Sequence, residues 1–187
     1  MASAFSSIPI ETSPLIFPGR SDYEVSHWYA VYTCSRRERC VAQQMENRAL
    51  ECLLPTYRSV RRWKDRRKEL ALPLFPGYVF VNVSLRDRLR VLEIPGVVQI
   101  VSFNGKPAAM PASEIVALRS GLASNAAMMP HPYLKTGSRA RVRSGPLAGL
   151  EGILVRRKQC YRLVLSIELI MRSVAVEVDE ADVEALD

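Results

Sequence analysis

Histidine is scarce in this 187-residue chain, which carries only His27 and His131. The sequence also lacks an acid pair, a phosphate-binding loop or a nucleophile motif that would mark a catalytic centre. A pairing of His27 with Cys34 is the one catalytic alternative, and such pairs are usually incidental. No apolar run approaches the roughly 18 residues that a membrane-spanning helix needs. We therefore expect neither an enzyme nor a membrane protein, and no residue pattern requires a cofactor or a metal.

The four cysteines form no C-x-x-C pair and no zinc-type spacing. This pattern favours small, buried thiols in a reducing compartment. Residues 1–26 have no basic start followed by a long apolar stretch, so they do not resemble a secretory signal. Serine, proline and threonine are scattered through them, which predicts a flexible N-terminal extension. We expect a cytoplasmic protein.

The net charge of +7 is concentrated in the middle of the chain. Residues 27–123 hold 16 Lys and Arg against 8 Asp and Glu, whereas the flanking parts are close to balance. A polyanionic partner would meet this middle segment first.

Two aromatic-rich runs, 28–33 and 75–83, are predicted to be β-strands because aromatic and β-branched residues fill them. Side chains alternate between the two faces of a strand, so one set packs inward while the other set faces outward. An outward aromatic set would form a patch of the kind that marks docking surfaces.

Helices are predicted between the strands. Ser35 and Glu38 form a capping box for the first helix, whose apolar face is Val41, Met45, Ala49 and Cys52. Ser84 caps a short second helix with Leu85, Leu89 and Leu92 on one side, and residues 112–122 form a third with Ile115, Leu118 and Leu122 inward. The 53–63 run and the run before Phe75 predict a hairpin with its tip at 64–67. Residues 27–123 therefore predict an α+β sandwich, an antiparallel sheet with helices packed on it.

Residues 124–134 contain two prolines and no hydrophobic period, and they are predicted to be a linker. Residues 135–187 change to short strands with glycine turns. The alternation of Leu163, Leu165, Ile167 and Leu169 indicates one buried face. This part of the chain predicts a small all-β barrel.

The glycine-spaced run from Gly145 to Leu154 resembles a KOW motif. Trp28-Tyr29-Ala30-Val31 and Phe75-Pro76-Gly77-Tyr78 resemble the N-terminal (NGN) domain of the NusG family. The resemblance covers residues 27–187, and residues 50–58 and 85–103 look most like the specialised RfaH and UpxY type. It implies an NGN-type sandwich joined by the linker to an SH3-like KOW barrel. It also implies a transcription elongation and antitermination factor, acting on particular long operons.

The resemblance implies contacts with RNA polymerase. An aromatic concavity would grip the clamp helices of the largest subunit, and ordinary core packing is the alternative for each of its residues. A second segment would reach the opposite lobe, with a solvated helix face as the alternative. The matching clamp residues are Tyr32, Phe75, Tyr78 and Phe80, and the lobe residues are Arg86, Arg88 and Arg90.

Basic residues would contact non-template or upstream DNA, because phosphate neutralisation gives salt-sensitive, sequence-blind affinity. Cys34, Cys40, Gln44 and Asn47 differ from RfaH at its DNA-reading positions, so any element recognised would differ too. The candidate contacts are Arg36, Arg37 and Arg39 at the first helix, and Arg61, Arg62, Lys64, Arg66 and Arg67 on the hairpin.

The resemblance implies that the KOW barrel holds a ribosomal protein or the Rho terminator through exposed residues. Leu147, Ile170 and Met171 are the candidates, since they are apolar but do not belong to the alternating pattern of buried strand residues. Gly145, Gly149 and Gly152 are the candidate turn residues, where the chain needs positive φ or close backbone approach. The period-two pattern favours a stable barrel, so we predict no refolding of this part into helices.

A KOW-type RNA-binding or ribosome-associated protein is the alternative function. The two aromatic strands argue against it, because such a protein does not need an additional aromatic domain.

Overall fold

The computed structural model describes residues 23–63, 66–124, 128–133, 137–145, 147–157 and 160–186. Its first half is built on an antiparallel sheet with strand order β2-β5-β1-β6, and β9 also pairs with β1. Tyr29 lies opposite Val81 and Tyr32 opposite Tyr78 in the β1–β5 register. These strands are β1 (Ser26–Thr33), β2 (Glu51–Leu53), β5 (Tyr78–Ser84), β6 (Val97–Ile100) and β9 (Ala109–Met110).

One face of this sheet carries Tyr29, Val31 and Val79, all fully buried. They form a single apolar cluster with Val41 and Met45 of helix α1 (Glu38–Asn47) and with Val91 of α2 (Arg88–Leu92). Because strand side chains alternate, Trp28, Ala30 and Tyr32 lie on the opposite face. The sheet therefore presents a second face that the first two helices do not cover.

The predicted helices are present, but two details of them are wrong. Arg37, rather than Ser35, precedes α1, and it makes no side-chain capping bond. Glu38 does not close a capping box because its Oε1 accepts a hydrogen bond from the Gly77 N–H at 2.8 Å. The helix ends before Ala49, which has a φ of 54°, and Cys52 lies on β2 instead of the helical face.

Cysteine burial also differs from the prediction. Of the three cysteines whose side chains the structure describes, Cys34 and Cys40 are exposed and Cys52 is partly buried. Burial raises the pKa of the Cys52 thiol to about 11, so this sulfur stays protonated and unreactive at neutral pH.

The two predicted strands that precede Phe75 pair with each other and form a long hairpin. In its register Arg61 lies opposite Lys68 and Arg62 opposite Arg67. The predicted hairpin is confirmed, but its tip at 64–67 is wrong in part, because Arg66 and Arg67 belong to the second strand and pair with Trp63 and Arg62; residues 64 and 65 lie outside the described residues. A second, short hairpin turns at Asn104–Gly105, where both residues have positive φ. The strands are β3 (Thr56–Trp63), β4 (Arg66–Pro73), β7 (Ser102–Phe103) and β8 (Lys106–Pro107).

Helix α3 (Ala112–Ala123) buries Ile115 and Leu118 as predicted, with Leu122 partly buried. The predicted inward side of the second helix is wrong in part, because Leu89 and Leu92 are 58% and 38% exposed although Leu85 is buried. The predicted linker contains a strand, β10 (Met129–His131), since its backbone pairs with β14 of the C-terminal sheet.

The C-terminal part is an antiparallel sheet with strand order β10-β14-β13-β12-β11-β15. Leu163, Leu165 and Ile167 are buried, as their alternation predicted, but Val164 between them is buried as well. Leu169 belongs to a 3-10 turn, Glu168–Ile170, that follows β13. The remaining strands are β11 (Arg139–Val142), β12 (Glu151–Arg157), β13 (Cys160–Ile167), β14 (Arg172–Val178) and β15 (Val183–Ala185).

The two halves share one apolar cluster. It contains Ala30 and Phe80 of the first sheet, Ile115 of α3, and Leu163 and Val176 of the C-terminal sheet. The second face of the first sheet is thus covered in part by α3 and by other residues of this cluster. Apolar packing therefore connects the first half of the chain with the C-terminal half.

A carboxyl pair lies where α3 meets the C-terminal half. Burial, and to a lesser extent the charge of Glu168, raise the pKa of Glu114 to about 7. One carboxyl oxygen of Glu114, Oε2, is buried with no hydrogen-bond partner in the described part of the chain. Ionisation of Glu114 therefore weakens the packing of α3 against the C-terminal half.

Candidate functional site

Two tyrosines on neighbouring strands form an aromatic pair with one exposed and one half-buried ring. Tyr32 near the end of β1 lies directly opposite Tyr78 at the start of β5. Their ring centroids are 5.4 Å apart with the planes tilted by 50°, a separation that is typical of attractive aromatic pairs. Tyr32 is 41% exposed and Tyr78 is half-buried. We call Tyr32 and Tyr78 the tyrosine pair.

The Pro76–Gly77 turn holds the tyrosine pair in place. Gly77 has a φ of +86°, and a Cβ at this position would lie 3.2 Å from Cε2 of Tyr32. The Gly77 carbonyl accepts a hydrogen bond from the Thr33 N–H at 2.8 Å. Together with the bond from the Gly77 N–H to buried Glu38, these contacts seat the Tyr32 ring against the turn. Only glycine fits this close approach at positive φ without strain.

Phe75 and Phe80 were predicted to be part of the exposed concavity, and the structure buries both. They are 1% and 0% exposed and pack edge to face, with ring centroids 5.6 Å apart. Phe80 lies on the same sheet face as Tyr32 but nearer its centre, where the shared apolar cluster covers it. These phenylalanines support the tyrosine pair from within the core and offer no contact surface in this arrangement.

The same sheet face carries a polar network at its other end. The Arg119 guanidinium lies 4.9 Å from the centre of the Trp28 ring and donates to Glu51 at 2.7 Å. Asn82 donates to the second Glu51 oxygen at 2.8 Å. Hydrogen bonds from Arg119 and Asn82 lower the pKa of the Glu51 carboxyl. No local pattern predicts this cluster, because Arg119 and Glu51 are far apart in the chain.

The predicted arginines at the first helix differ in availability. Arg36 and Arg37 are exposed, and Arg36 has a φ of 63°, which turns the chain into α1. A guanidinium nitrogen of Arg39 donates to the Ala71 carbonyl on β4. Arg39 therefore ties the helix to the hairpin, whereas Arg36 and Arg37 remain available for a polyanion.

The hairpin arginines are placed by their backbone. Arg61 and Arg62 lie on β3, and Arg66 and Arg67 lie on β4 in the paired register. Lys64 lies outside the described residues. The predicted basic set thus shares one two-stranded element.

The three predicted lobe arginines differ in whether they already have a partner within the protein. Arg86 lies 3.7 Å from the Glu24 carboxylate. Arg90 lies 3.9 Å from Asp87 and donates to the Arg48 carbonyl at 2.7 Å. Arg88 is exposed and has no ion pair among the described residues, so it is the one uncommitted cation of the three.

The predicted turn glycines in the C-terminal half are explained by the structure. Gly145 and Gly149 have φ values of +82° and +85°. A Cβ on Gly152 would lie 2.6 Å from the Val164 carbonyl oxygen, which requires glycine for close strand approach.

The predicted exposure of the barrel's partner-binding residues is wrong for two of three. Leu147 and Ile170 are 8% and 6% exposed, because both join the shared apolar cluster. Met171 is 63% exposed. It occupies the left-handed region, with a φ of 48°, directly after the 3-10 turn.

A family model described as "Transcription termination factor nusG" matches residues 26–119, slightly more than half of the chain. The match includes β1, the Pro76–Gly77 turn and the tyrosine pair. The chain belongs to the NusG family. The predicted family resemblance is therefore confirmed, and closeness to the RfaH and UpxY type stays a prediction.

Full-length relatives agree with the NusG assignment. A protein named "Transcription termination/antitermination protein NusG" from Helicobacter pylori (strain J99 / ATCC 700824) is 27% identical over 172 residues, covering 85% of this chain and 98% of the relative. The protein of the same name from Vibrio parahaemolyticus serotype O3:K6 is 29% identical over 182 residues, covering 89% and 100%. That from Escherichia coli (strain K12) is 27% identical over 180 residues, covering 88% and 98%.

A solved structure described as "Domain interaction in Thermotoga maritima NusG" covers 88% of this chain and 99% of that chain. The TM-score is 0.53 at 23% identity, which supports the shared fold. The predicted α+β fold class is confirmed. NusG-family proteins are transcription factors and not enzymes, so this chain has a general role in transcription, as predicted. Among the described residues, no helix is long and apolar enough to span a membrane.

Proposed function

We propose that this NusG-family protein is an elongation and antitermination factor that docks on the clamp helices of the RNA polymerase largest subunit. The observation that carries the proposal is the tyrosine pair, in which the exposed ring of Tyr32 lies beside the half-buried ring of Tyr78 and against the Pro76–Gly77 turn. Exposed, rigid tyrosines are typical anchors of protein interfaces because they bury a large area at little entropic cost.

Docking would suppress pausing through a shift in population. A pause requires the clamp to open or swivel, and a ligand stabilises the form that it binds more tightly. Each tenfold difference in affinity between the two clamp forms shifts their equilibrium tenfold. Arg88, an exposed cation, would contribute the second contact, with the opposite lobe.

DNA contact would come from Arg36, Arg37 and the hairpin. These exposed or strand-borne cations account for much of the positive charge in residues 27–123. Their affinity for upstream or non-template DNA would fall steeply with salt. The protein would act on particular long operons, and Met171 would mark where the C-terminal half meets a ribosomal protein or Rho.

The test is binding of the full chain to purified core RNA polymerase, with ribosomes as the competing partner. Replacing Tyr32 and Tyr78 together by alanine should weaken polymerase binding by at least roughly tenfold, the scale of a lost interface anchor. The control replaces Val116 of α3, which is 61% exposed and lies outside the tyrosine pair. Equal binding by the double variant and the control would refute the docking surface, and preferential binding to ribosomes would support the alternative function.

A further inference from the structure

An open groove lies beside α2, away from the shared apolar cluster. Its cavity volume is about 610 Å³. The floor includes Leu85 and Ile100, which are 3% and 5% exposed and belong to the first apolar cluster. We call it the α2 groove, and its principal lining residues are Tyr23, Leu85, Arg88, Leu92, Ile100 and Lys106.

Exposed apolar side chains are concentrated around the α2 groove. Two of them, Tyr23 and Leu92, line it directly. Three more stand on adjoining elements: Leu89 on α2, Val98 on β6 and Phe103 on β7. The last three are each at least half exposed. An apolar surface gathered in this way is typical of an interaction site.

Two cations border the α2 groove without partners. Arg88 and Lys106 are both exposed, and neither takes part in an ion pair among the described residues. By contrast, the nearby carboxylates of Glu24 and Asp87 are matched by Arg86 and Arg90. The rim therefore carries an uncompensated positive charge above an apolar floor.

The geometry points to a binding site for a short acidic segment of a partner protein, with a bulky apolar side chain seated in the α2 groove. Carboxylates on the segment would pair with Arg88 and Lys106, which provides charge complementarity and orientation. Strand β6 pairs only with β1 among the described strands, so the groove lies along a sheet edge that an extended segment can approach. Single-stranded nucleic acid fits less well, since it needs a continuous basic track with aromatic platforms. This site does not depend on the tyrosine pair.

The probe is a fluorescently labelled peptide with a central Leu-Phe pair flanked by Asp and Glu, titrated into the full chain. We expect saturable binding with a dissociation constant below about 1 mM, the weakest range of specific recognition. A peptide with Ala in place of the Leu-Phe pair, and one with Lys in place of the acids, should each bind at least roughly tenfold more weakly.

The protein variant Arg88→Glu/Lys106→Glu should lose at least roughly tenfold in affinity for the acidic peptide. The matched control is Arg172→Glu, an exposed arginine on β14, which should bind normally. Tyr32→Ala/Tyr78→Ala should also bind normally, which separates this proposal from docking through the tyrosine pair, although the groove shares Arg88 with the proposed lobe contact. Circular dichroism would confirm that each variant is folded.

Several outcomes would overturn the proposal. They are the absence of saturable binding, equal binding by the charge-reversed variant, and a preference for the Lys peptide. Binding of oligothymidine in place of the peptide, lost in Arg88→Glu/Lys106→Glu, would assign the groove to nucleic acid. Peptide binding that requires deletion of residues 1–22 would make the chain's own N-terminal segment the occupant.

Discussion

Replacement of Glu114 by glutamine should stabilise the protein in a pH-dependent way. Burial and the charge of Glu168 raise the pKa of Glu114 from 4.5 to about 7. The folded protein therefore holds this proton more tightly than the unfolded chain does. The stabilisation is fully present below pH 4.5, the unfolded value, and is lost as the pH rises through about 7.

The magnitude follows from the shift. Each pKa unit corresponds to about 1.4 kcal/mol, so the shift from 4.5 to about 7 gives a full effect of about 3 kcal/mol. Over the narrower window from about pH 5.5 to about pH 8, the folded form loses about 2 kcal/mol relative to the glutamine variant. Glutamine keeps the shape of the protonated carboxyl but carries no charge at any pH.

The assay is urea unfolding of the parent and of Glu114→Gln across this pH window, followed by tryptophan fluorescence and circular dichroism. The advantage of the variant in unfolding free energy should grow with pH. Glu168→Gln should give a smaller gain in the same direction, because its charge is the lesser cause. Glu93→Gln, at an exposed position, should give none. If the variant's advantage is the same at both ends of the window, the ionisation of Glu114 does not destabilise the folded protein.

Three further predictions concern the turn and the basic residues. Gly77→Ala should cost about 1–2 kcal/mol of unfolding free energy more than Gly105→Ala, since both have positive φ but only the first crowds a tyrosine ring; thermal denaturation measures the difference, and equal losses would contradict the contact. Glu38→Ala should cost about 1–3 kcal/mol, because it leaves the Gly77 N–H without its acceptor; an unchanged denaturation midpoint would exclude this role. Arg36→Ala/Arg37→Ala should lower DNA affinity and reduce the slope of log affinity against log salt by about two; Arg39→Ala, in which the replaced arginine is bound to Ala71, should change the slope less.

Local sequence patterns predicted most of the elements. The aromatic runs became β1 and β5 because period-two alternation and β-branched content act over short distances. Helix α3 followed from the spacing of Ile115 and Leu118. The need for glycine at Gly149 and Gly152 also followed from the turn pattern, since backbone conformation and strand crowding are local properties.

Features set by distant contacts were not predictable. The capping box failed because Glu38 hydrogen-bonds to Gly77, which is far along the chain. Strand β10 was missed because only its pairing with β14 makes it a strand. Phe75, Phe80 and Leu147 were predicted to be exposed because no local pattern reveals the apolar cluster shared by the two halves. The Trp28–Arg119 contact was missed for the same reason.

Site-specific photocrosslinking tests the proposed docking most directly. A photoreactive phenylalanine analogue at position 32 of the full chain would be irradiated in a reconstituted elongation complex, and crosslinked peptides would be identified by mass spectrometry. The same probe at Met171, which is 63% exposed, is the control. We expect crosslinks from position 32 to the clamp helices of the polymerase largest subunit and none there from position 171. Crosslinks from position 32 to any other part of the polymerase, or to none, would contradict the proposed docking.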